Sequence, residues 1–151
     1  MQRKPKVLFL STGDSTRGVM AEGFLRALAG EHFQTVSTGI QPEDVHPVAI
    51  DVMAEVGIDI SGQKPRTVAE SLRDQFGYVV IVYDPSKERS PIFPFAPHLL
   101  RWNICDPAAE EGSHTEKKEA FRRVRNEIRG RIENFLTETM PASQQPAAMA
   151  A

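Results

Sequence analysis

Hydrophobic and polar positions along this chain switch repeatedly between a strand-like run and a helical stripe, and the first switch is the sharpest. Val7, Leu8, Phe9 and Leu10 form a continuous apolar run, the pattern of a parallel strand covered on both faces. Ser11 to Arg17 is small, polar and glycine-bearing. From about Arg17 to Ala29, Met20, Phe24, Leu25 and Leu28 recur on one face of a helix. Glu22 and Arg26 form an i,i+4 pair on its other face. Gly30 stands where a helix C-cap belongs.

The alternation continues. Phe33 to Ser37 predicts a second strand, closed by Thr38-Gly39, and residues 40–45 a loop. Pro47 suits the first turn of a second helix, because its missing N–H is not needed there. That helix turns Val48, Val52, Met53 and Val56 inward and ends at Gly57. After a connector over residues 58–66, Thr67-Val-Ala-Glu70 is a capping-box pattern for a short third helix reaching about Phe76. Tyr78 to Tyr83 is almost wholly apolar and β-branched, a central strand. Residues 84–97 are rich in proline and charge and predict a loop; His98 to Ile104 predicts a weaker strand. Ser113-His-Thr-Glu116 is a second capping box. It opens a last helix striped by Phe121, Val124, Ile128, Ile132, Phe135 and Leu136.

Strands alternating with helices predict an α/β fold: a parallel sheet with right-handed crossovers and helices on both faces. One domain over residues 1–139 accounts for the whole pattern. Residues 140–151 carry proline, alanine and glutamine without periodicity and predict a frayed tail. In such a sheet ligands bind beyond the carboxyl ends of the strands. Ser11, Asp84 and Asp106 each follow a predicted strand, so the pattern brings them to that edge.

Composition narrows the partners. The 151 residues are 40% hydrophobic, enough for one domain with a real core. A net charge of −2 gives no global field for nucleic acid or membrane. No apolar run approaches the ~20 residues of a spanning helix. The stretch behind the basic start is shorter than the ~7–15 residues of a signal core, so a cytoplasmic chain is expected. The single cysteine, Cys105, excludes an internal disulfide and any intramolecular dithiol chemistry.

The segment Ser11, Thr12, Gly13, Asp14, Ser15, Thr16 and Arg17 joins a strand to a helix. Such a loop turns backbone N–H groups toward one point at the positive end of the helix dipole, and that point attracts an anion. Arg17 adds a planar guanidinium able to grip two oxygens of a phosphate-like group. The alternative is a structural arginine bonding loop carbonyls and carboxylates.

The spacing from Ser11 to Arg17 resembles the C-x5-R loop of the low-molecular-weight protein tyrosine phosphatases and of the thioredoxin-coupled arsenate reductases that share their fold. The likeness continues through Met20-Ala-Glu-Gly-Phe24, Ser37-Thr-Gly39 and His46-Pro47. Residues Met53 to Pro65 look most like the reductase branch, and Arg101-Trp102 with Asp106-Pro107 is similar to the loop carrying the general acid. Roughly Lys6 to Leu136 is covered. The resemblance implies a four-stranded parallel sheet with flanking helices. It implies a nucleophile at Ser11, an oxyanion clamp at Arg17, a general acid at Asp106, and neither metal nor cofactor.

The departures gather at the chemistry. Serine stands at position 11 where the resemblance implies cysteine, Asp14 where it implies asparagine, and Gly18 where a serine usually follows the arginine. Tyr83 and Ser90 align with the two further cysteines of the reductase relay, so all three thiols are absent. A deliberate Cys→Ser trap would account for Ser11 alone. The set as a whole favours natural divergence.

A cysteine thiol, with its ordinary pKa of about 8.5, ionises readily beside helix N–H groups and an arginine. A serine hydroxyl does not, and needs an adjacent base; the candidates are Asp14, Asp106 and, at longer range, His46. Asp14 also opposes a phosphate dianion: like charges about 5 Å apart at an effective dielectric near 20 repel by roughly 3 kcal/mol, or about two decades of affinity. In its other reading Asp14 is a turn residue that bonds its own backbone. Asp106 likewise reads as a turn residue before proline. Cys105 reads as a small buried or half-buried residue.

Other motifs carry less. Gly13 to Gly18 has the G-x4-G spacing of a nucleotide loop, but Val19-Met20 stands where Lys-Ser/Thr should follow. The four histidines show no metal-ligand spacing and read as caps or surface residues. Arginines 122, 123, 125, 129 and 131 interleave with glutamates, a solvated helix face and not a nucleic-acid groove. Three functions stay open: an impaired family member that binds an oxyanion or phosphorylated protein; an active phosphatase or arsenate reductase of altered mechanism; and an α/β interaction protein whose loop binds nothing.

Overall fold

The first apolar run forms β1 (Lys6–Ser11), the middle strand of the sheet, in a computed structural model that describes residues 4–11, 16–39, 44–64, 66–71, 74–83 and 98–146. The chain continues through α1 (Thr16–Ala29), β2 (Gln34–Gly39), α2 (Pro47–Ala54), β3 (Arg66–Thr67), α3 (Val68–Ser71), β4 (Tyr78–Ile81), β5 (His98–Arg101) and α4 (His114–Thr139). The strands lie in the order β3-β2-β1-β4-β5 and every pair is parallel. The chain winds one way from β1 to β2 and β3, and the other way to β4 and β5. The point of reversal, where α/β sheets open a crevice, lies beyond the carboxyl end of β1.

Five strands replace the expected four. The extra one, β3, pairs only at Thr38↔Arg66 and Gly39↔Thr67. Two residues carry no periodicity, so sequence pattern is blind to such a strand. The predicted weak strand through Ile104 stops at Arg101, although the Trp102 N–H still donates to Ile81 O at 2.8 Å.

Alternation along β1 divides the core. Val7 and Phe9 face the layer built from α1, α2 and α4, where Val19, Met20, Phe24, Val52, Ile128 and Ile132 are buried. Leu8 faces the other way with Val79 and Phe76, and Leu10 with Ile81 and Tyr83. The α4 stripe is buried at all six predicted positions. Its capping box forms as expected: Ser113 Oγ accepts from the Glu116 N–H at 3.2 Å, and the Glu116 carboxylate accepts from the Ser113 N–H at 3.4 Å. The capping box at Thr67 and Glu70 forms too, but the helix behind it spans only Val68–Ser71. Gly57 takes φ +81 after α2, the left-handed turn that ends that helix.

Past α4 the described residues continue to Pro146. Met140 is buried in the core, and Ala142–Gln144 makes one 3-10 turn. Among the described residues no helix is long and apolar enough to cross a membrane.

Candidate functional site

Ser11 ends β1 with its side chain fully buried. Its Oγ accepts a hydrogen bond from the Gly18 N–H at 2.8 Å. Gly18 is the third residue of α1, and its amide is one of the first-turn donors that a helix leaves without an internal partner. The Ser11 hydroxyl therefore serves the helix as an N-cap oxygen would, but from the preceding strand. The glycine leaves room for it. A Cβ at Gly18 would stand 2.6 Å from Ser11 Oγ and 3.3 Å from Phe9 O.

Arg17, the second residue of α1, is 3% exposed. Its Nη1 donates to Ile104 O at 2.8 Å, a contact across 87 positions of sequence. The bond ties the start of α1 to the segment after β5. Thr16 Oγ1 accepts from the His46 N–H at 3.2 Å and brings in the start of α2. His46 caps that helix, Nδ1 accepting from the Val48 N–H at 3.2 Å, and its ring packs on Phe121. The cap reading of His46 holds.

Beyond β5 the side chains still alternate: Trp102 and Ile104 are buried, Asn103 and Cys105 exposed. Cys105 therefore projects into solvent, which corrects the buried or half-buried expectation. Asp106 is half-buried, and its Oδ1 accepts from the Ala108 N–H at 3.0 Å, capping the 3-10 turn Pro107–Ala109. In this geometry it is the turn residue before proline. Tyr83, aligned with a relay thiol, is fully buried against Leu10 and Ile81.

Ser11, Thr16, Arg17 and the backbone at Ile104 thus meet at the carboxyl edge of the sheet, with Asp106 two residues further on. Residues 12–15 of the loop, with Thr12, Gly13, Asp14 and Ser15, lie outside the described residues, as do Asp84 and Ser90. Among the described residues no cluster of three His, Cys, Asp or Glu is placed to hold a metal ion.

Two contributors escaped the sequence. Ile104 acts through its carbonyl, which no side-chain motif announces. Glu22 is not on a solvent face: its side chain is 14% exposed and lies beside Ser37, while Arg26 Nη1 stands 3.5 Å away. Burial pushes its carboxyl pKa up, and the Ser37 and Arg26 contacts pull it back only in part. Glu22 and Arg26 at i,i+4 read as an ordinary surface pair.

The chain is similar to known proteins along most of its length. The family described as "Low molecular weight phosphotyrosine protein phosphatase" matches residues 6–145. The arsenate reductase of Halalkalibacterium halodurans is 38% identical over 132 residues, 87% of this chain and 95% of that one. The arsenate reductase of Bacillus subtilis is 36% identical over 131 residues, 85% and 93% of the two chains. A solved structure described as "An arsenate reductase in the phosphate binding state" superposes with a TM-score of 0.76 at 31% identity, covering 90% of this chain and 99% of the other. The low molecular weight protein tyrosine phosphatase from T. tengcongensis, at 21% identity, shares the fold with a TM-score of 0.72. With the parallel sheet, Ser11 closing β1, Arg17 in the first turn of α1 and these relatives in agreement, the chain belongs to the low molecular weight phosphotyrosine protein phosphatase family.

Proposed function

We propose that this chain holds a tetrahedral oxyanion, or a phosphorylated protein, at the loop between β1 and α1 and does not turn it over. The observation that carries this reading is the Ser11–Gly18 hydrogen bond. A nucleophile must present a lone pair to the anion and pass its proton to a base. The Ser11 oxygen instead spends a lone pair on the first turn of α1, and among the described residues Gly18 is its one hydrogen-bond partner. The missing thiols support the same reading, because reduction of arsenate through a thiol relay needs sulfurs for disulfide exchange, and Cys105 is the sole sulfur nucleophile, facing solvent. Anion retention is supported by the buried guanidinium of Arg17 at the start of α1 and by the similar arsenate reductase described in a phosphate binding state.

The bond from Arg17 Nη1 to Ile104 O favours a second reading, in which Arg17 is a structural tie and the loop is empty. Turnover separates an enzyme from both. The purified chain is expected to release no phenol from an aryl phosphate, and to reduce no arsenate with thioredoxin and its reductase supplied. Turnover that vanishes in Arg17→Ala would overturn the proposal.

A further inference from the structure

A basic groove runs along the outer edge of β2, away from the loop, and the sheet stops short beside it. Gln34 N–H donates to Pro5 O, toward β1. Alternation in a parallel strand then turns the N–H groups of Thr35 and Ser37 to the opposite edge. There β3 pairs only with Thr38 and Gly39. The Glu22 carboxylate lies beside Ser37. Among the described residues no strand pairs with Thr35 on that side.

The groove has a volume of about 390 Å³, and Lys4, Lys6, Arg26, Arg66 and Asp74 carry its charges. Asp74 bridges two of the cations, Lys6 Nζ at 3.7 Å and Arg66 Nη1 at 3.3 Å. Arg26 faces Glu22 from behind, and Lys4 Nζ donates to Gly30 O at 3.1 Å. Among the described residues four cations therefore share two carboxylates, on a chain whose net charge is −2. The pairs are long and solvent-exposed, and pairs of that kind hold their partners weakly.

We propose that this edge of β2 docks an extended acidic peptide segment, its backbone pairing at Thr35 and its carboxylates lying among Lys4, Lys6, Arg26 and Arg66. Two features select that occupant. The open rung at Thr35 offers main-chain pairing, the mode by which a strand adds to a sheet edge. The excess positive charge complements carboxylates, and Asp74 already shows the cations bridging one. The inference does not depend on what the β1–α1 loop binds.

The test uses the full chain, 15N-labelled, titrated with a synthetic peptide alternating glutamate and threonine. The control peptide replaces glutamate by glutamine. The acidic peptide is expected to shift the Thr35 amide resonance, and the control to leave it in place. Lys6→Gln with Arg66→Gln should weaken binding about tenfold, and Asp74→Asn should tighten it several-fold by removing the internal competitor. Thermal melts establish that each variant folds, and if the double variant does not, Asp74→Asn alone decides. An unmoved Thr35 amide, or looser binding by Asp74→Asn, would overturn the proposal. So would an oligothymidylate of equal charge that binds as tightly at the same resonances, since that behaviour belongs to a general anion sink.

Discussion

Ser11 Oγ lies 2.8 Å from the Gly18 nitrogen, and a Cβ on Gly18 would lie 2.6 Å from the same oxygen. The two residues are therefore matched: glycine admits the rotamer in which serine caps α1. Ser11→Ala should lower stability by about 1 kcal/mol, the usual cost of an unmade helix cap. Gly18→Ala should also destabilise, because Ser11 must rotate away and give up its bond, although alanine in a helix is otherwise better than glycine by about 1 kcal/mol. In the Ser11→Ala background the Gly18→Ala penalty should shrink, leaving only the 3.3 Å approach to Phe9 O. Urea denaturation of the four proteins measures this coupling, and additive effects would contradict it.

Arg17 and Ile104 form the second such pair. Arg17→Ala removes the donor and leaves a buried carbonyl unpaired, at a cost of about 1–3 kcal/mol. Arg17→Lys should recover only part of this, because an ammonium lacks the planar fork. Hydrogen exchange provides the check: amides after β5, from Trp102 to Ala108, should lose protection in both variants while the α4 core keeps it.

The sheet and its main helices were legible because their residues pay out their periods over several turns or rungs, as along β1 and the α4 stripe. Ser11 at the end of β1 and Arg17 at the start of α1 were legible for the same reason, as the boundaries of two periodic segments. Illegible were features set by tertiary context. β3 is two residues long. Cys105 obeys the alternation of its segment, but the side it faces is solvent and not protein. Glu22 is buried although its i,i+4 spacing with Arg26 reads as a surface pair, and Ile104 contributes a backbone atom.

Glu22 gives a pH signature. Burial raises its folded pKa above the ordinary carboxylate value, so the folded state prefers the protonated form. Its contribution is most favourable below the unfolded pKa, near 4.3, and is lost as pH rises through the folded value. Glu22→Gln, which cannot ionise, should therefore gain in melting temperature relative to the parent as pH rises from 4 to 8. Melting curves across that range measure the difference, and a constant offset would contradict it.

Glu55 has the opposite sign. Arg122 grips its carboxylate at 2.8–3.2 Å and Arg125 joins at 2.8 Å, linking the end of α2 to α4. Hydrogen bonds from Arg122, then Arg125, lower its pKa from 4.5 to about 2, against desolvation. The stability this supplies is complete above pH 4.5 and is lost as pH falls toward 2. Acid denaturation of Glu55→Gln should be flatter over that window than that of the parent. High salt should narrow the difference, since the cluster is exposed.

The account rests on an oxyanion held at the start of α1 without turnover, and the melting temperature under phosphate titration tests the holding most directly. Phosphate at ten times its Kd should add about 1.4 kcal/mol to the folded state, or about 3–6 °C for a chain of this size. Arg17→Ala should melt lower and show no such rise. A parent chain whose melting temperature ignores millimolar phosphate, or an Arg17→Ala variant that rises as much as the parent, would contradict the account.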